Sequence, residues 1–129
     1  MINTENLKKI NISVQSLIDE GVLNINIGLA DSPEPIVIEE VSKHAEERMK
    51  ERGITKAVAQ SYIDYAIVMF HQREGARRMY VAKDGNSIVF VEGRMLISAY
   101  SSFDFDIGMK RLISEVEKYG KNTGQTTDF

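Results

Sequence analysis

Cysteine is absent from the 129 residues. Disulfides and thiolate metal sites are therefore excluded, and a reducing compartment is the natural setting. Histidine is scarce, with two copies and no HxxxH or HExxH spacing, which argues against a zinc site. No Walker loop, dinucleotide fingerprint or nucleophile elbow is present, so neither a metal nor a cofactor is expected. No apolar run approaches the roughly 20 residues that a transmembrane helix needs. The start, MINTENLKKI, has no continuous apolar segment of the kind that marks a signal peptide. A positive balance is lacking too: net charge is −3 and the pI is near 5.4. General attraction to nucleic acid or acidic membranes is thereby removed, and a nucleic-acid function would need a local basic patch. These absences together predict a soluble, cytoplasmic protein.

What is present is ordinary globular material, 43% hydrophobic and 27% charged, at a length suited to one domain. Leu7, Ile10, Val14, Leu17 and Ile18 fit a helix over residues 4–18, although Ile10, Ile12 and Val14 also alternate as in a strand. Leu23, Ile25, Ile27 and Leu29 alternate with polar residues and read as a half-buried strand. The two prolines fall together in Asp31-Ser32-Pro33-Glu34-Pro35, which must be a loop. That loop divides an N-terminal appendage, residues 1–35, from a main unit at 36–119, though both can share one compact body.

The main unit begins with a short extended lead, Ile36–Ile38, and a helix whose stripe is Val41, Ala45 and Met49. Gly53 is placed to stop that helix in the left-handed conformation, with Ile54 folding back on Met49. Thr55 then caps a second helix expected to reach about Met69, lined by Val58, Tyr62, Ala66 and Phe70. Strands are expected at Arg77–Lys83, Ser87–Val91 and Met95–Ser101, with turns at Asp84-Gly85-Asn86 and Glu92-Gly93. A last helix spans about Asp106–Tyr119, with Ile107, Leu112, Ile113 and Val116 near one face and Asp104 or Asp106 as cap. Residues 120–129 read as a disordered polar tail. The expected fold is α+β: a small antiparallel β-meander sheet of three or four strands with helices packed mainly on one face.

Chemistry concentrates on the SKHAEERMKERGIT stretch. His44, Arg48 and Arg52 recur every four residues, beside the apolar stripe and rotated about 100° from it. In the first helical turn the dipole favours a neutral imidazole, so His44 suits proton transfer near pH 7. Arg48 and Arg52 suit phosphate oxygens. The alternative is a solvated helix whose arginines pair with Glu40, Glu47 or Glu51. On the strands, alternation puts Arg78 and Tyr80 on one face, and Ser98 and Tyr100 on a face shared with Leu96. These four meet in one cleft if the faces coincide; otherwise the charges protect a sheet edge.

KHAEERMKERGIT, a second helix, RRMYVAKDGNSIVFV and GRMLISAY together resemble the nuclease toxins of the barnase/EndoU/colicin/RelE-like superfamily, over about residues 38–117. That resemblance implies metal-independent RNA cleavage, with the 2′-hydroxyl attacking the adjacent phosphate. It places the helix histidine and arginine at His44 and Arg48, the basic strand residue at Arg78 or Lys83, and the last-strand hydroxyl at Ser98. Arg52, Tyr80, Lys83 and Tyr100 would bind the RNA substrate, and an antitoxin or immunity protein would be the partner. The competing expectation is a non-catalytic phage or mobile-element protein-interaction module with the same fold.

Overall fold

The computed structural model describes residues 2–23, 27–72, 76–82 and 87–125, with backbone alone over 121–125. Among these residues are the α-helices α1 Thr4–Asp19, α2 Lys43–Arg52, α3 Lys56–Asp64 and α4 Ile107–Gln125. The strands are β1 Ala30–Asp31, β2 Glu40–Val41, β3 Ala66–His71, β4 Arg77–Ala82, β5 Ser87–Glu92 and β6 Met95–Ser101. They form one six-stranded sheet in the order β1-β3-β4-β5-β6-β2. All pairings are antiparallel except β2 with β6.

The fold is α+β, as expected, but the helices divide between both faces of the sheet. Val68, Phe70, Met79 and Val81 share a core with α1 and α4. Met69, Tyr80, Val89 and Leu96 point the other way, into a second core under α2 and α3. This two-sided burial explains the main sequence-level miss. AIVMF in β3 is apolar at every position, because each face of a central strand is covered. It therefore carries no period of two and was continuous with the helical pattern before it. The second helix ends at Asp64 rather than about Met69, and Ala66–His71 is an added strand. Val58, expected on its buried side, is exposed.

The helix stop after α2 forms as the sequence indicates. Ser42 caps the start by accepting from the Ala45 N–H at 3.0 Å, and Ala45 and Met49 are buried. At the other end Gly53 has φ 70° and ψ 28°, and the Ile54 N–H bonds the Met49 carbonyl at 2.9 Å. The chain reverses there at once, and Thr55 caps α3 by accepting from the Val58 N–H at 3.1 Å. Helix α4 starts on Asp106, which accepts from the Met109 N–H at 2.8 Å. Met109, Leu112, Ile113 and Val116 form its buried stripe. Ile107 lies off it, about 200° around the axis from Met109, and is exposed. The helix continues through Gln125, beyond the expected end at Tyr119. Residues 126–129 lie outside the described residues, as do the Asp84-Gly85-Asn86 turn and residues 24–26.

The N-terminal segment is built into the sheet and one core. Ile10, Val14 and Leu17 of α1 are buried in the α4-side core, and β1 forms an edge beside β3. Among the described residues of this segment, strand is confined to Ala30–Asp31, and of the strand expected over Leu23–Leu29 the described positions 23 and 27–29 lie outside it. From Asp31 the chain must reach β2 at the opposite edge, five strand intervals away. That is about 24 Å at the usual strand spacing. The nine residue steps to Glu40 span at most about 32 Å. Crossing the sheet therefore uses at least about three quarters of the full reach of the strap, residues 32–39, and prolines at 33 and 35 favour an extended course. It crosses the α2/α3 side of the sheet, with Ile38 buried in that core.

Gly53→Ala should cost about 1 kcal/mol. A Cβ there would meet no atom within 4 Å, so the penalty is the left-handed backbone alone. Chemical denaturation of the two proteins measures it, and an unchanged midpoint would refute the role given to the glycine.

Candidate functional site

His44 stands in the first turn of α2 with its side chain exposed. One turn on, Arg48 is also exposed, and its guanidinium lies 3.8 Å from the Glu51 carboxylate. Such a loose surface pair adds little. Arg52, the third member of the strip, is held differently. Its Nη1 donates to the Ala99 carbonyl at 2.9 Å, and its Nε lies 3.7 Å from Asp104 Oδ1. The guanidinium carbon also sits 4.2 Å from the centre of the Tyr100 ring. That ring in turn meets Phe90 edge-on at 5.9 Å. Arg52 and Tyr100 are thus brought together, with every strong interaction directed into the protein itself.

Arg78 and Tyr80 share a face, as strand alternation requires, and the strap lies over them. Arg78 Nη1 is 2.8 Å from Glu34 Oε2, and the Tyr80 hydroxyl donates to the Glu34 carbonyl at 2.6 Å. Gln60 of α3 holds the next part of the strap. Its side-chain oxygen accepts from the Ile38 N–H at 2.8 Å and its amide donates to the Ile36 carbonyl at 2.9 Å. Acidic residues at the two ends of the strap also meet basic ones, Asp31 of β1 with His71 at 3.5 Å and Glu39 with Arg94 at 3.2 Å. Glu34 and Gln60 carried no signal in the sequence. One is a glutamate between prolines and the other a polar residue in a helix, and only the crossing chain gives them partners.

Ser98 is on the other side of the sheet. The register between β5 and β6 shifts at Phe90/Val91, so that Ser98 pairs with Phe90, whereas Ala99 pairs with Val89 and Leu96 with Val91. Leu96 and Ala99 consequently face α2 and α3, and Tyr100 packs against the core beneath α1 and α4. A bulge inserts one residue and inverts the alternation beyond it. The expectation that Ser98 and Tyr100 share a face with Leu96 fails for this reason. With it fails the expected meeting of Arg78, Tyr80, Ser98 and Tyr100 in one cleft. Lys83 lies outside the described residues. Among the described residues, no cluster of three or more His, Asp or Glu side chains is arranged to hold a metal. No helix among them is long and apolar enough to cross a membrane.

Of the two candidate caps for the last helix Asp106 takes that role, and Asp104 serves elsewhere. Its Oδ2 accepts from both the N–H and the hydroxyl of Ser101, at 3.0 and 2.9 Å, which ties the short 3-10 turn Ser102–Asp104 to the end of β6. On that turn Phe103 is 97% exposed, and Ile107 four residues on is 75% exposed.

Tyr80 gives a stability test. Burial raises its phenol above the ordinary 10.0, opposed by the hydrogen bond and charge of Arg78. Because the folded state keeps the proton longer, this contribution is complete below pH 10.0 and is lost as pH rises through the folded value. Tyr80→Phe should cost about 1–2 kcal/mol at neutral pH by leaving the Glu34 carbonyl without its donor. The variant should also lose less stability than the parent on going to alkaline pH. Denaturant titrations at neutral and alkaline pH measure both effects.

No protein-family model, curated protein or solved structure matches this chain.

Proposed function

We propose that this chain is a non-catalytic protein-interaction module of phage or mobile-element origin, working in the cytoplasm. The observation that carries the reading is the separation of the residues a ribonuclease would need together. His44 and Arg48 lie exposed along α2, Arg78 is bound to Glu34 beneath the strap, and Ser98 faces the opposite side of the sheet. A general base and the groups neutralising a scissile phosphate must converge on one reacting atom to within hydrogen-bond reach. Bonds within the fold account for Arg52, Arg78 and Tyr80 instead.

The contact point proposed for a partner protein is Phe103 with Ile107. A large aromatic held in water by a pinned turn loses little freedom on docking, which is the chemistry of an interface anchor. The ordinary expectation for a Phe is burial, and this one buries almost nothing of its side chain within its own chain.

Two measurements test the reading. Cellular RNA incubated with the purified protein in EDTA should stay intact. Cleavage leaving 2′,3′-cyclic phosphate ends, lowered roughly 10²–10⁴-fold by His44→Ala, would establish the ribonuclease in its place. Phe103→Ser should keep stability within about 0.5 kcal/mol, as expected for an exposed position. The same substitution should abolish capture of a discrete protein partner from a lysate, and undiminished capture would remove Phe103 from the interface.

A further inference from the structure

Among the described residues, no strand neighbours β6 on its outer side beyond Leu96, because β2 pairs with Met95 and Leu96 alone. The strand reads MLISAYS, with no charge and no proline. Segments of this composition are the ones that pair with copies of themselves. Edge strands usually carry a lysine or another charge of their own to prevent this. Here the charges come from outside the strand. The Ala99 carbonyl accepts from Arg52, and two residues on, the Ser101 N–H donates to Asp104. Positions two apart direct their backbone groups to the same side, so both groups belong to the outer edge. Arg52 and Asp104 are themselves 3.7 Å apart. As a pair they supply one donor and one acceptor where the backbone of a further strand would do so.

We infer that the Arg52–Asp104 pair keeps a self-complementary edge closed, and that a chain without it docks a second copy along residues 97–101. The geometry selects the partner. In an antiparallel ladder, facing residues exchange N–H and C=O bonds, so two identical edges satisfy each other about a two-fold axis. At the opposite edge the Ala30 N–H is taken by Asn11 of α1 at 2.8 Å. Because the pairing joins the same edge of both copies about a two-fold axis, it uses that edge up and closes at a dimer.

The test is the mass of the Arg52→Met, Asp104→Ala double variant by light scattering at rising concentration. Methionine keeps an unbranched apolar stem near Tyr100 while removing the donors. The parent should remain a monomer, and the double variant should show about a twofold mass that increases in population with concentration. Adding Ser98→Lys should restore the monomer, because a lysine in the edge deters pairing. A double variant that is folded by circular dichroism yet monomeric throughout would overturn the inference. So would a dimer that persists with Ser98→Lys, or open-ended aggregation without a dimer. If the double variant does not fold, Arg52→Met alone is judged by the same masses and the same reversal.

Discussion

The reach of the strap is the constraint on which this architecture depends. A chain that places one strand at each edge of a six-stranded sheet, with only residues 32–39 between them, must run in a largely extended course. Everything that fastens the strap follows from that extension. Its backbone groups take partners from outside the strap: the Tyr80 hydroxyl from the sheet, the Gln60 amide from α3, and the Arg94 carbonyl, which accepts from the Glu39 N–H. Buried or half-buried peptide groups must find such partners, because leaving one unpaired costs free energy comparable to a lost hydrogen bond. The strap also decides the fate of Arg78, which neutralises Glu34 and is only 21% exposed.

The parts of the fold legible in the sequence are those whose cause is local. The Schellman stop at Gly53 with Ile54, the Ser42 and Thr55 caps, and the alternation that defines β4 each depend on neighbours within a few residues. What was illegible depends on residues far along the chain. β3 has no period because helices cover it from both sides, a fact contained in α1, α4 and α3 rather than in AIVMFH. The bulge in β6 leaves LISAY looking like regular alternation, and only pairing with β5 shows that Ile97 and Ser98 break it. The expected cleft of Arg78, Tyr80, Ser98 and Tyr100 was lost at that step. The α2 strip was correctly drawn, but the faces assigned to Ser98 and Tyr100 were inverted by one inserted residue.

Arg52 shows how a residue type can be read correctly and its role missed. A guanidinium at the end of an amphipathic helix suits phosphate binding, and the same fork suits a carbonyl, a carboxylate and an aromatic ring. In this fold all three are supplied internally, by Ala99, Asp104 and Tyr100. Sequence spacing specifies that the imidazole and the two guanidiniums lie on one side of α2. It does not specify that the third reaches the edge of β6 while the first two remain in water.

The strap also orders events in time. Strands β3 to β6 follow one another along the chain and pair through short connections, whereas the strap's bonds to Arg78, Tyr80 and Arg94 join residues 44, 46 and 55 positions apart. Closing loops of that length costs entropy that local hairpins avoid, and non-local contacts are correspondingly slow to form. The meander is thus the natural nucleus, and the strap is laid across it once the sheet exists. Interactions made that late chiefly hold back unfolding. Tyr80 and Gln60 are therefore determinants of how long the folded chain persists, more than of how quickly it is reached.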